Sequence, residues 1–280
     1  MNEPLTLEHK EVVTQALAGL DLDLCEYSFD TLFLFRKKYH YKLVGNTALY
    51  IEGITSDNET FIMPLGLASW QSPELHEHMQ RVDFAFPIPQ EWLSLSLQPP
   101  QRIWSQDADS DYLYDVTRLA HMSGRHLAKK RNLEKQFLEQ YTPSEALLTP
   151  ENSHLARQVV DVWQKKHVLD VKKSDYEAAC EAISLNDQLG LHALIVFVDG
   201  VPVGFISGGH LNKRVFAIQF AKADPSYKGI YQYLFHRFCA HIETECEVVN
   251  MEQDLGLASL RQTKHSYHPL RLVPKYRVRI

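Results

Sequence analysis

Two apolar runs, His192–Val198 and Val201–Ser207, are separated by the dipeptide Asp199-Gly200. Asp-Gly between such runs is the strongest short-range signal for a hairpin, because both residues accept the positive φ of a tight primed turn. The hairpin fixes a sheet in the second half of the chain, and the flanking periodicities fall into place around it. Glu151–His167 reads as a helix with Trp163 on its apolar face. Ser174 caps a second helix running to about Leu185, with Glu177 completing a capping box. After the hairpin come a strand over Arg214–Ala221, a helix over Ser226–Glu245, a strand over Glu247–Asn250, a helix over Leu257–Lys264 and a strand over Leu270–Val278. The order is α-α-β-β-β-α-β-α-β.

The first half is less regular. Leu5–Leu20 has an amphipathic helical pattern, and Phe29–Tyr39 is a second helix ending on Arg36, Lys37 and Lys38, where cations suit the dipole. Tyr41–Val44, Ala48–Ile54 and Thr60–Pro64 read as short strands between the turn signals Gly45-Asn46 and Asp57-Asn58. Ser72 reads as an N-cap with Pro73 at the first helical position, and Val82–Ile88 as another strand. A long helical pattern then spans Thr117–Tyr141 and carries Arg118, Arg125, Lys129, Lys130, Arg131 and Lys135. Arg125 and Lys129 share a face that Asn132 and Gln136 continue, which suits an anion-binding helix or a solvated one. Gly124 inside the pattern costs roughly 1 kcal/mol against Ala and predicts a break or a close approach. Thr142–Pro150 reads as a linker, giving two domains, 1–141 and 142–280.

A chain of 280 residues with 45% hydrophobic content has material for two ordinary cores. The net charge of −6 is unevenly spread: residues 1–148 carry 13 Lys and Arg against 21 Asp and Glu, residues 149–280 carry 16 against 14. After Asp254 come Arg261, Lys264, Arg271, Lys275, Arg277 and Arg279 with no carboxylate, a basic tail suited to a phosphate-bearing ligand or to a solvated edge. Cys25, Cys180, Cys239 and Cys246 form no CxxC pair and read as buried thiols of a reducing compartment. The start of the chain lacks the basic and apolar regions of a signal peptide. The most apolar stretch, Ala193–Gly208, is too short to span a bilayer. A soluble, cytoplasmic protein is expected. The 14 histidines include no HExxH pair, so no metal is expected, and neither a Walker loop nor a nucleophile elbow occurs.

Polar side chains concentrate in one place. Asn250–Gly256 (NMEQDLG) sets Glu252, Gln253 and Asp254 just past the apolar Val248-Val249, and Leu260–Pro269 (LRQTKHSYHP) presents Arg261, Lys264, Ser266 and Tyr267 within about a helix and a turn. Buried polar groups need partners, so a plain core would use few of them. Glu252 and Asp254 are the carboxylates available as a base or an ammonium anchor, and an unbroken strand would point them to one side. Arg261 and Lys264 suit a phosphate or a carboxylate. The structural alternatives are Asp254 as an N-cap and Arg261 with Tyr267 as a pair closing the domain.

Tyr112–Asp115 (YLYD), Leu119, Ser123-Gly124, Lys130–Asn132 (KRN) and Phe137 resemble the phosphatidylglycerol lysyltransferase C-terminal domain family. So do Lys222–Asp224 (KAD), Lys228–Gln232 (KGIYQ), Asn250, Glu252–Gly256 (EQDLG), Arg261, Lys264, Ser266-Tyr267, Pro269 and Lys275-Tyr276, with Glu26–Phe29 (EYSF) early in the chain. The resemblance covers nearly the whole chain. It implies an α/β (α+β) fold of two tandem GNAT-like domains, each a mixed, mostly antiparallel sheet flanked by helices. It also implies transfer of an aminoacyl group from aminoacyl-tRNA to an amine or hydroxyl acceptor, a lipid headgroup or a small molecule. The characterised members are soluble domains attached to membrane regions. On this resemblance Glu252, Asp254 and Tyr267 are the catalytic candidates, Tyr267 as donor to a leaving oxygen. Arg125, Lys130, Arg131, Asn132, Lys228, Gly229, Asn250, Gln253, Arg261, Lys264 and Ser266 are the substrate-binding ones.

Three positions depart from the family pattern. Ala128 stands where a His is usual, although His126 is nearby; Ala221 replaces a Glu and Met251 an Arg. Each removes a polar group that holds substrate or carries a proton. The alternatives are therefore an acyl-CoA-dependent GNAT N-acyltransferase and a non-catalytic binding module on the same fold. Lys228-Gly229 lies where acyl-CoA enzymes place a pyrophosphate-cradling turn at a helix N-terminus, but Tyr231 replaces the small residue expected there.

Overall fold

Short strands, the central ones buried along most of their length, build two seven-stranded sheets with the same plan. The computed structural model describes residues 1–96, 99–167 and 174–280. The first sheet has the order β1-β2-β3-β4-β5-β14-β6: β1 (Asn2–Pro4), β2 (Lys42–Val44), β3 (Tyr50–Ile54), β4 (Thr60–Pro64), β5 (Phe84–Ile88), β14 (Tyr276–Arg279) and β6 (Arg102–Ser105). The second has the order β13-β7-β12-β11-β10-β9-β8: β13 (Arg271–Val273), β7 (Asp111–Asp115), β12 (Val248–Asn250), β11 (Val215–Ala223), β10 (Val201–His210), β9 (His192–Val198) and β8 (Pro143–Leu147). Each runs through three antiparallel pairings, then one parallel pairing, β4 with β5 and β11 with β12. The strand that follows, β14 or β7, is antiparallel again and comes from a distant part of the sequence. The tandem mixed α/β architecture expected from the resemblance is present.

The chain forms two compact units: residues 1–111, 252–261 and 272–280, and residues 112–251 and 262–271. The expected boundary at 141/142 falls inside the second unit. The Thr142–Pro150 segment is not a linker there but carries β8, pairing Pro143 with Val198 through to Leu147 with Leu194. Its polar composition is that of an edge strand, and Pro143 sits at the strand's first residue, where a missing N–H is tolerated. The single strand expected over Leu270–Val278 is two, β13 and β14, in different sheets, with Pro274 between them.

In the first unit the helices Lys10–Leu17 and Phe29–Phe35 help bury Val13, Leu32 and Phe33. In the second, the helix Ile230–Ile242 buries Leu234, Phe238 and Cys239 with Val196, Ile206, Phe216 and Phe137. Each such side chain fully withdrawn from water contributes about 1.5–3 kcal/mol. The long basic helix is interrupted as Gly124 predicts. A first helix covers Val116–Ala120, a second Ala128–Gln140, and between them Met122 and Gly124 take φ of 46° and 83°. Among the described residues no helix is long and apolar enough to cross a membrane.

Candidate functional site

In the first unit, Lys275 stands just before β14 with no exposed surface. Its Nζ donates to Glu26 Oε1 at 2.7 Å and Gln253 Oε1 at 2.8 Å, pairs with Asp111 Oδ1 at 2.7 Å, and lies 3.4 Å from Cys25 Sγ. Cys25 also donates its backbone N–H to Asp111 Oδ2 at 2.8 Å. Burial alone would push the Lys275 ammonium down, but Asp111, Cys25 and Glu26 together hold it well above its ordinary value. Burial raises the Glu26 carboxyl, with Lys275 opposing the rise, and burial and then Asp111 raise the Cys25 thiol.

One residue into β14, a second buried cation repeats the arrangement. Arg277 reaches Asp57 Oδ2 at 2.8 Å, Glu59 Oε2 at 2.6 Å and Asp109 Oδ2 at 2.9 Å, with its guanidinium over the ring of Phe84 at 4.9 Å. Burial works against ionisation of Asp57, but the bonds from Arg277 and Thr55 outweigh it and hold that carboxyl well below the usual range. Burial lifts Asp109 despite the same arginine. Lys275 and Arg277 are therefore not part of a solvated basic tail, nor free for a phosphate: the strand pairing of β14 turns both inward.

Glu26, Asp109 and Gln253 also line a small, partly open cleft with Tyr39, Tyr41 and Thr55, with room of ≈ 20 Å³. Tyr39 and Tyr41 stack at 5.7 Å between ring centroids. Tyr41 approaches so closely because residue 53 is glycine: a Cβ there would lie 2.6 Å from the ring. Burial first, and the Glu252 charge second, raise the Tyr39 phenol far above its ordinary value.

The loop after β12 does not continue as a strand. Glu252, Leu255 and Gly256 take φ of 58°, 54° and 75°, so Glu252 and Asp254 are not set on one face of an unbroken strand. Asp254 is fully buried; its Oδ1 accepts the Gly256 N–H at 2.8 Å, and Arg261 grips both oxygens, Nε to Oδ2 at 2.8 Å and Nη2 to Oδ1 at 3.1 Å. Asp254 thus closes the turn leading into the helix Ala258–His265 and fixes Gln253 and Leu255 at the cleft wall. Asp254 stands four residues ahead of the helix start and so closes a turn rather than serving as the expected N-cap, and Arg261 pairs with Asp254 rather than with Tyr267.

The other expected residues lie in the second unit. Tyr267 is 2% exposed, its ring 5.4 Å from Phe235 and 4.1 Å from the Lys130 ammonium, its hydroxyl 3.4 Å from Gln232 Nε2. Burial raises that phenol strongly and lowers the Lys130 ammonium. Arg131 closes the helix break by donating to the carbonyls of Met122 and Gly124 at 2.5 and 2.6 Å. Lys264 is buried and donates to the Met251 carbonyl at 2.5 Å; Asn250 is fully buried in β12. Ser266 donates to its own helix at Thr263 O, while Arg125, Asn132 and Lys228 are exposed.

Gly229 precedes the helix Ile230–Ile242 at φ 93°, and a Cβ there would meet Leu133 O at 2.3 Å and Phe137 Cβ at 2.9 Å. Close packing of two helices is reason enough for this glycine. The three departures have plain roles as well: Ala128 is exposed at a helix start, Ala221 packs on the core, and Met251 is buried.

The sequence pointed to Gln253 and, within the family block, to Glu26 and Lys275. It missed Asp111 and Cys25 as part of the cluster, and the carboxylates around Arg277.

An uncharacterised protein of Mycoplasmoides gallisepticum is 25% identical over 181 residues, which are 62% of this chain and 57% of that protein, so the chain spans a little over half of its length. A conserved protein of unknown function from Bacteroides thetaiotaomicron has a similar structure, with a TM-score of 0.86 at 24% identity over 99% of this chain and 98% of that one. So does the C-terminal domain of a putative lysylphosphatidylglycerol synthetase from Agrobacterium fabrum, with a TM-score of 0.66 at 16% identity, covering 98% and 92%. Residues 18–279 match the model of the family described as phosphatidylglycerol lysyltransferase, C-terminal, and the chain belongs to that family.

Proposed function

We propose that this protein is an aminoacyltransferase and that the cleft of the first unit receives the ammonium-bearing end of the aminoacyl group. The observation that carries the reading is the charge balance at its wall. Five carboxylates (Glu26, Asp57, Glu59, Asp109 and Asp111) surround two cations, Lys275 and Arg277. Glu26 and Asp109 are the two that line the cleft, and burial raises both carboxyls, so a cation placed there favours their ionised forms. A ligand cation offsets the burial cost of these carboxylates, and the aromatic rings of Tyr39 and Tyr41 line the same cleft.

In the reaction, an acceptor amine or hydroxyl, such as that of a lipid headgroup, attacks the ester carbonyl of an aminoacyl-tRNA. The acceptor's bond to the carbonyl carbon forms, the bond from that carbon to the ribose oxygen breaks, and the acceptor's proton ends on the ribose oxygen. Glu26 and Asp109 hold the ammonium, Gln253 orients it with its amide, and Asp254 and Arg261 keep the Gln253 loop in place. Fixed orientation of this kind is worth several kcal/mol of barrier. Tyr267 and Lys264, both buried in the second unit, are assigned to packing.

The acyl-CoA alternative is disfavoured. A carboxylate-rich cleft repels pyrophosphate, and Gly229 is accounted for by packing against Leu133 and Phe137. The test is transfer of label from a mixed aminoacyl-tRNA pool to phosphatidylglycerol vesicles or to soluble amines. Glu26→Gln is expected to lower kcat/KM by at least about tenfold, one charged hydrogen bond. Turnover with acetyl-CoA alone moves the assignment to an N-acyltransferase, and binding of the pool without turnover makes the protein a binding module.

A further inference from the structure

The second unit carries a side-chain cluster that the proposed reaction does not use: His192, His210 and Glu245. We propose that these three residues form a binding site for a divalent transition-metal ion of the zinc class. The placement follows from the sheet register. His192 opens β9 opposite Gly208 of β10, and His210 lies two residues further along β10, on the same face. Glu245 reaches the same spot from the turn that follows the helix Ile230–Ile242, where its N–H bonds the Ile242 carbonyl at 2.9 Å.

The geometry is that of a metal-ligand set. His210 Nε2 lies 3.3 Å and His192 Nδ1 3.7 Å from the same oxygen, Glu245 Oε2, and the three candidate ligand atoms all fall within 4.8 Å of one another. A tetrahedral ion with bonds near 2.0–2.1 Å separates its ligand atoms by about 3.3 Å. Small side-chain movements therefore suffice to bring all three onto one ion. Two imidazoles and one carboxylate are a recurrent zinc donor set, and they leave a fourth position for water or another ligand.

The imidazoles are also held in place. The Phe216 ring stands 5.6 Å from the His192 ring and 4.9 Å from the His210 ring, edge-on to each, and is anchored on its other side by Phe238 at 5.8 Å. Space for this ring exists because residue 208 is glycine: a Cβ there would lie 2.6 Å from the Phe216 ring and 2.0 Å from the Ala217 carbonyl oxygen. A rigid aromatic floor under two exposed or half-exposed histidines reduces the ordering cost of binding. An HExxH search cannot see the set, because the three residues are scattered over more than fifty positions and meet only through sheet register.

The experiment is calorimetric titration of the chelator-stripped protein with ZnCl2, with Co2+ as an absorbing probe and Mg2+ as a control. One Zn2+ per chain, intense tetrahedral Co2+ bands, a higher Tm with Zn2+ and no effect of Mg2+ are expected. His210→Ala and Glu245→Gln, each checked for a native circular dichroism spectrum, are expected to weaken binding by about tenfold or more. His192→Gln/His210→Gln, which keeps side-chain bulk, is expected to abolish the Co2+ bands. Absence of Zn2+ binding in the unaltered protein overturns the site, and so does equal Zn2+ binding by the double variant. An equal response to Mg2+ overturns the metal class. None of these readouts depends on transferase activity.

Discussion

Asp254, fully buried, and Arg261, with 42% of its side chain exposed, are joined by a two-pronged ion pair that ties the loop after β12 to the helix it enters. The carboxylate has no route to water, so its charge is compensated by this arginine and by the turn it caps. Asp254→Ala is expected to destabilise the protein by about 3 kcal/mol, the scale of lost charged hydrogen bonds. Arg261→Lys, which keeps the charge but not the fork, is expected to cost less than Arg261→Ala. Urea unfolding of the three variants measures the order; equal stability of Arg261→Ala and the parent protein would remove the positioning role.

Lys275 is the stronger case, because both ends of its ion pairs are buried. Lys275→Met leaves Glu26 and Asp111 without their shared cation. A loss of about 3–5 kcal/mol is expected, close to the whole stability of many domains. Adding Glu26→Gln is expected to recover part of it, since one of the stranded charges then disappears. Denaturant midpoints of the single and double variants decide this.

Buried thiols contribute to the alkaline limb of stability. Cys180 is pushed from 9.0 up to about 11, mainly by burial. The folded state therefore holds this proton more tightly than the unfolded one. Its contribution is fully present below about pH 9 and is lost as pH rises through 11, at up to about 1.4 kcal/mol per pH unit. Cys180→Ala is expected to flatten the decline between pH 9 and 11 while leaving the neutral region nearly parallel to the parent. Denaturant unfolding across that range provides the check, and an unchanged slope rejects the assignment.

Gly229→Ala separates packing from phosphate binding. A methyl at φ 93°, 2.3 Å from a carbonyl oxygen, is expected to lower stability by about 1–3 kcal/mol. The same change is expected to leave any response to acetyl-CoA unaltered. A normal Tm with a lost acetyl-CoA response would reverse the reading.

Local chemistry made the second half readable. Asp199-Gly200 gives the β9–β10 hairpin because a two-residue turn needs positive φ, and both residues take it, at 51° and 77°. Gly124 marks the helix break for a similar reason. Partner choice was not readable in the same way. Pro143–Leu147 looks like a linker, because an edge strand shares its composition and only its pairing with β9 distinguishes the two. The charged cluster was hidden by distance: Lys275 meets Glu26 across 249 positions, and no periodicity links such residues. The six cations after Asp254 suggested an outward basic face. The β14 register sends Lys275 and Arg277 inward instead, a choice that depends on carboxylates far away in the sequence.

The order of strands in the first sheet also bears on how the chain acquires its shape during synthesis. β14, residues 276–279, lies between β5 and β6, which are made some 170–190 residues earlier. When those two strands leave the ribosome, the position between them is empty, and the carboxylates at 26, 57, 59, 109 and 111 have no Lys275 or Arg277 to meet. β14 and both of these cations are thus supplied last, while β8 to β12 of the second sheet are all made before residue 251. Translation inverts the usual order of maturation, and the unit begun first is finished last.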